Sequence, residues 1–264
     1  MWGSIRKTVA AFTAGDDDAI RHFELAAAHI QRALLDVVIP TYDLYELGVC
    51  AEPVRLVGGD YIDLYRCDDG DAVLLFGMGD ASGKSLAAAL NSLMLRYLIR
   101  GLFKSLGSTD LAQIVTLANE VLVEDMEPGT FITFLLGTLN IETGLLRVVN
   151  AGHEPPLILR ANADMAMTLD VHDVVLGVTN VTHYSVEECL LAPGDIAVFY
   201  TDGLTEATNT HGEMYTIEGL KRELVRSREL GAQELARAMF DGVKEYTVGP
   251  LRDDSTIFVA RRTP

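Results

Sequence analysis

The chain has 264 residues, enough for one large domain or two small ones with a substantial core. Its 49% hydrophobic and 22% charged residues describe an ordinary globular protein. A formal net charge of −17, from 38 acidic against 21 basic residues, argues against nucleic acid or an anionic membrane surface as the main partner.

Residues 1–14 suit a short amphipathic helix through Trp2, Ile5, Val9 and Phe12, ended by Gly15. Asp16, Asp17 and Asp18 cap a second helix, in which Ile20, Phe23, Ala27, Ile30, Leu34 and Val37 follow coiled-coil spacing up to Pro40. This stripe suits either packing on the domain's own core or a homodimer. Residues 1–40 are read as a helical leader or switch segment, and 41–264 as one catalytic domain. Apolar and aromatic runs predict strands at Tyr42–Ala51, Gly58–Cys67 and Ala72–Met78, then helices at Ser85–Phe103 and Thr109–Met126. Strands return at Phe131–Ile141 and Leu145–Val149 around a hairpin turn at Glu142-Thr-Gly144. Further strands are expected at Leu157–Arg160, Tyr184–Leu191, Asp195–Tyr200 and Thr256–Ala260, with helices over 217–226 and 232–246. Strands joined mainly by hairpins, with helices inserted in pairs, predict an α+β layered domain with antiparallel sheets.

Cys50, Cys67 and Cys189 are odd in number and far apart, which suits a reducing compartment. The histidines lack HExxH spacing, and no apolar run approaches the ~20 residues of a membrane span. The expectation is a cytoplasmic protein with no membrane and no nucleic-acid partner.

The chemistry concentrates in aspartates at strand ends. Asp60 follows Gly58-Gly59, Asp80 closes the strand after it, Asp202 precedes Gly203, and Asp253-Asp254 opens the last strand. Clustered carboxylates repel one another and call for cations, and oxygen ligands without His or Cys point to Mg²⁺ or Mn²⁺. Four carboxylates balance two divalent ions, the arithmetic of a two-metal hydrolase. Strand alternation puts Asp60 and Asp63 on opposite faces, so Asp63 is a supporting or solvent-facing group. The same alternation does not choose between Asp253 and Asp254. A rival reading takes Gly83-Lys84-Ser85 as the end of a phosphate-binding P-loop, but Met78 stands where that loop needs glycine.

Gly58-Gly-Asp-Tyr-Ile-Asp63, Gly79-Asp-Ala-Ser-Gly-Lys84, Asn150-Ala-Gly-His153, Tyr200-Thr-Asp-Gly-Leu-Thr-Glu-Ala207 and Asp253-Asp-Ser-Thr256 resemble, in order, the motifs of bacterial type 2C metal-dependent protein phosphatases. The nearer branch is the SpoIIE/RsbU-like one, and Ile30-Gln-Arg-Ala-Leu-Leu35 resembles the helix preceding its catalytic domain. The resemblance implies an α-β-β-α sandwich of two antiparallel sheets flanked by helix pairs. It implies a site for two Mn²⁺ or Mg²⁺ ions, with a third as an option. Asp60 and Asp80 would bridge the metals and hold the attacking water, with the Ala81 carbonyl, Asp202 and Asp253 as further ligands. The implied activity is serine/threonine phosphatase action on a phosphorylated regulatory protein, such as an anti-sigma-factor antagonist. An inactive, phosphatase-like binding module is the alternative.

Three departures stand out. Ser85 and Thr216 occupy positions where the branch usually has glycine. Ala81-Ser82 stands where some relatives carry a histidine as general acid, which leaves the proton donor to the leaving group unassigned, with water as one option. His153 reads as structural, and Lys84 either as a phosphate contact or as an offset to the aspartates.

Overall fold

The computed structural model describes residues 35–54, 58–67, 72–83, 86–107, 110–170, 172–180, 183–247 and 249–264. The leader stripe through Leu34, and Lys84 and Ser85, lie outside these residues. Helix was expected to continue through Val37, but residues 36–42 are not helical. Pro40 disfavours helical backbone in the residue before it, and Val37, Ile39 and Tyr42 pack against the core between the two sheets.

The elements run β1 (Tyr45–Glu52), β2 (Asp60–Cys67), β3 (Val73–Ala81), α1 (Leu86–Leu106), α2 (Leu111–Asp125), β4 (Ile132–Asn140) and β5 (Leu145–Ala151). They continue with β6 (Leu157–Leu159), β7 (Met167–Thr168), β8 (Glu187–Leu190), β9 (Ile196–Tyr200), α3 (Asp202–Thr205), α4 (Thr216–Arg226), α5 (Ala232–Tyr246) and β10 (Ser255–Arg262). One five-stranded sheet has the order β1-β10-β9-β6-β7, the other β2-β3-β4-β5-β8. Every paired strand in both is antiparallel.

Three apolar layers hold the α-β-β-α sandwich together. Tyr61, Leu95 and Leu122 belong to the core that joins α1 and α2 to the β2–β3 sheet. Val198, Leu224 and Met239 belong to the core under α4 and α5. Between the sheets the Phe76 ring lies 4.6 Å from Phe199 and 5.4 Å from Phe258. The β4–β5 hairpin turns where expected: the Asn140 side chain accepts from the Thr143 amide at 2.8 Å, and Gly144 takes φ +81°.

Strand alternation decides what β2 offers to each layer. Ile62 and Leu64 enter the core between the sheets, whereas Tyr61 and Tyr65 pack towards α1 and α2. Asp63 shares their side, where Arg96 and Arg100 of α1 bind it. By length and composition alone α1 is also long and apolar enough to cross a membrane. Here it packs on β2, β3 and α2.

Antiparallel pairing puts the start of β2 beside the end of β3, and the end of β9 beside the start of β10. Thr201, just after β9, donates its amide to the Thr256 carbonyl at 3.0 Å. Both sheets therefore bring their acidic ends to one edge of the sandwich.

Candidate metal centre

Asp60 is the cross-strand partner of Asp80. Two glycines let the chain close around them. A Cβ on Gly59 would overlap the Ala81 carbonyl oxygen and Asp80 Oδ1, and one on Gly58 would overlap the Asp254 carboxylate. Gly59 is also fixed from the helix side, since its carbonyl accepts the Ser92 hydroxyl at 2.7 Å. Glycine is required at both positions because only a bare backbone admits these oxygens.

Asp60 is 1% exposed and ties the two sheets together. Its Oδ2 accepts from Thr201 Oγ1 at 2.8 Å and from Thr256 Oγ1 at 2.9 Å. Thr201 Oγ1 in turn accepts the Thr256 amide at 2.9 Å. Burial pushes the Asp60 carboxyl well above the usual carboxylate range, and the charges of Asp80 and Asp254 push it further. The two hydroxyls pull the other way without prevailing. Among the described residues no Lys, Arg or His pairs with Asp60.

The last motif divides its work. Asp254 is 4% exposed, and its Oδ1 accepts the Val54 amide at 2.8 Å. Asp253 is partly exposed, and its Oδ1 accepts the Asp254 amide at 2.9 Å. Asp202 opens α3, which packs on β10 so closely that a Cβ on Gly203 would overlap the Asp254 carbonyl. Its charge acts on Glu154, whose carboxyl is raised by burial first and by Asp202 second.

The structure thus brings Asp60, Asp80 and the Ala81 carbonyl together and adds Asp254. Asp202 acts on Glu154. Among the described residues no three His, Cys, Asp or Glu side chains form a group that could hold a metal ion by themselves. The donors come as neighbouring oxygen groups, which suits hard divalent cations that keep part of their water.

His153 lies behind this edge. Its amide donates to Asn150 Oδ1 at 2.7 Å and its carbonyl accepts Asn150 Nδ2 at 3.0 Å, locking the turn. Nδ1 lies 3.0 Å from Thr133 Oγ1, which also meets the Asp80 carbonyl at 3.4 Å. Burial lowers the imidazole pKa to about 4; a backbone group of Tyr200 pulls upward without reaching hydrogen-bond geometry to the buried Nε2. These contacts fix the turn, and burial favours the neutral ring.

Three residues of this edge carry no role in the sequence reading: Thr201, Glu154 and Thr256. Thr201 and Thr256 stand inside the quoted motifs, yet their hydroxyls act on a carboxylate far away in the chain. Only the fold reveals that contact.

Two antiparallel sheets clad by helix pairs, with oxygen donors gathered at one edge, define the type 2C phosphatase fold. The Stage II sporulation protein E (SpoIIE) family model matches residues 70–263, and the chain belongs to that family. Among curated proteins it is 27% identical over 240 residues to the phosphoserine phosphatase RsbU of Bacillus subtilis, spanning 89% of this chain and 69% of RsbU. Among solved structures it resembles the SiaA-PP2C domain of Pseudomonas aeruginosa, with TM-score 0.78 and 23% identity, over 96% of this chain and all of that domain. The catalytic domain of the serine threonine protein phosphatase PstP, solved with 2 manganese ions, is similar at TM-score 0.60 and 15% identity, over 84% of this chain and 99% of that one.

Proposed function

We propose that the chain is a cytoplasmic, Mg²⁺- or Mn²⁺-dependent phosphatase that removes phosphate from serine or threonine of a regulatory protein, such as an anti-sigma-factor antagonist. One observation carries the reading: Asp60 is buried beside two further carboxylates with hydroxyl donors and, among the described residues, no cationic partner. Membership of the SpoIIE family and the similarity to RsbU support it.

Asp60, Asp80, the Ala81 carbonyl, Asp202 and Asp253 would hold two divalent ions. Asp254 is placed to steady them through the electrostatic field at Asp60. Bound ions supply Lewis acidity towards water and phosphoryl oxygens. The protein's own part is positioning. Thr201 and Thr256 both take Asp60 Oδ2, which fixes the carboxylate plane and leaves Oδ1 for a cation. Ser92 and the bare Gly59 hold the Ala81 carbonyl in reach of the same edge. His153 stays neutral and keeps the neighbouring turn closed. Solvent is one source of the proton for the leaving serine; Glu154, whose carboxyl is raised by burial and by Asp202, is another.

Phosphate release from phosphoserine peptides, measured with Mn²⁺, with Mg²⁺ and with chelator, tests the reading. Turnover is expected with either metal and none with chelator; chelator-resistant turnover would overturn the metal assignment. Residues 1–40 are proposed as a switch segment that forms a homodimer through its helix. Sedimentation of the chain with and without these residues tests that part, and the same number of subunits per particle would refute it.

A further inference from the structure

Two buried polar atoms beside the candidate metal centre are left without partners. His153 is 5% exposed, and its Nε2 meets no hydrogen-bond partner among the described residues. Tyr200 is 1% exposed, and its Oη meets none either. Buried polar groups are nearly always hydrogen-bonded, and each one left over costs stability.

The chain brings these residues together where it crosses from one sheet to the other. β5 ends at Ala151 in the first sheet, and β6 starts at Leu157 in the second. His153 and Glu154 lie in this crossing. Asn150 grips the His153 backbone at one end, and Pro155-Pro156 stiffens the other. Leu157 pairs with Val198 of β9, so the crossing passes β9 at its last residue, Tyr200. The approach is reciprocal. A backbone group of Tyr200 favours the protonated His153 ring, as an accepting carbonyl does. Burial raises the Tyr200 phenol pKa, and the Glu154 charge raises it further.

The two ends of this contact lead to different ligand strands. Thr133 is the cross-strand partner of Asp80, and its hydroxyl lies 3.0 Å from His153 Nδ1. Tyr200 stands two residues before Asp202. The imidazole therefore spans from the Asp80 strand to the Asp202 strand. A Thr133 hydroxyl that donates to Nδ1 leaves the ring proton on Nε2, which then faces the Tyr200 carbonyl as a donor. Tyr200 Oη is the matching donor towards the Glu154 carboxyl. A slight approach of the two sheets at this edge would make both bonds. Carboxylates on the two strands oppose that approach by repulsion, and bound cations reverse the sign.

We propose that His153 and Tyr200 form a latch between the sheets that closes when divalent cations bind, and that both are positioning residues for the metal centre. The inference rests on the metal-dependent reading and adds a device that holds Asp80 and Asp202 at one spacing. The test titrates the full chain with Mn²⁺ in a calorimeter and melts it without metal, as wild type, Y200F, H153N and H153Q. Y200F should bind Mn²⁺ about five- to tenfold more weakly, the worth of one hydrogen bond. Its metal-free melting temperature should hold or rise, because an unpartnered hydroxyl is gone. A residue with a merely structural role would leave the affinity unchanged. H153Q, whose amide reaches the place of Nε2, should bind within about threefold of wild type. H153N, whose amide reaches only the place of Nδ1, should bind about tenfold more weakly. Wild-type affinity in Y200F or in H153N overturns the latch, as does an equal loss in H153N and H153Q. If a histidine variant fails to fold, Y200F decides alone. A wild type that binds no Mn²⁺ would refute the metal centre itself, and the latch with it.

Discussion

Asp60 and Asp63 stand on the same strand, both buried, and their surroundings are opposites. Asp63 is 6% exposed, and its carboxylate receives Arg100 at 2.6 Å on each oxygen and Arg96 at 2.9 Å. Arg100 also lies 5.1 Å above the Tyr65 ring, and its own pKa is raised by the hydrogen bond to Asp63. Asp60, on the other face, meets two threonine hydroxyls and the fields of two more carboxylates. A buried charge supplied with its own counterions is a fastening. A buried charge denied one is a place for a ligand.

Neutralising each aspartate in turn is the sharpest way to break this contrast. Asp60→Asn is expected to lower turnover on the order of a thousandfold or more, because metal ligation carries several kcal/mol of the catalysis. Its metal-free melting temperature should hold or rise, since a carboxylate pushed upward by its neighbours is relieved. Turnover within tenfold of wild type would place the metals elsewhere. Asp63→Asn should do the reverse, keeping a metal response while losing about 3 kcal/mol in urea unfolding. Removing one partner of a buried ion pair costs about 3–5 kcal/mol, and Arg100 is partly open to water. A loss below about 1 kcal/mol would demote the pair to surface decoration.

His153 sits between the two cases, buried and uncharged. Its pKa falls from 6.5 unfolded to about 4 folded. Between those values the unfolded chain binds a proton that the folded one refuses, so stability falls as pH drops through this window. The contribution is fully present above about pH 6.5 and costs at most about 3 kcal/mol by pH 4. Metal-free unfolding of wild type and His153→Asn across pH 4–7 isolates it. Parallel curves would mean that the ring is not buried neutral.

The smallest expected effect concerns the start of α4. Thr216→Gly should stabilise the domain by about 1 kcal/mol, because relief of a left-handed threonine outweighs the extra freedom of unfolded glycine. The melting temperature should rise by about 2 °C. An unchanged or lower melting temperature would show that the chain is not strained there.

Much of this was legible before the fold was seen, and the limits have physical causes. Alternation along β2 separates Asp60 from Asp63 correctly, because side-chain period is a property of the strand itself. It could not reveal that Arg96 and Arg100 would reach Asp63, since those contacts depend on how α1 lies across the sheet. The hydroxyls of Thr201 and Thr256 reach Asp60 from 141 and 196 residues away, with no local signal. β7 has 2 residues and α3 has 4, too short for any periodicity to appear. The Asp253–Asp254 pair stayed open for a related reason. The fold buries Asp254 under Gly58, a contact between segments that no repeat connects. Family resemblance names Asp253 as the ligand.

β10 is the last strand of the domain to leave the ribosome, yet it lies inside its sheet between β1 and β9. Tyr45 waits for Arg262, roughly 220 residues later, before β1 has a neighbour. At ~5–20 residues per second that interval is on the order of 10–40 s of translation. Thr256 and Asp254 emerge with the same strand, so a nascent chain carries Asp60 without the hydroxyls that orient it. The domain is therefore expected to stay catalytically silent until its synthesis is complete. Ribosome-arrested chains ending before residue 255 should be protease-sensitive and without turnover; an arrested chain with activity would contradict this. A phosphatase made this way cannot turn over while still unfinished.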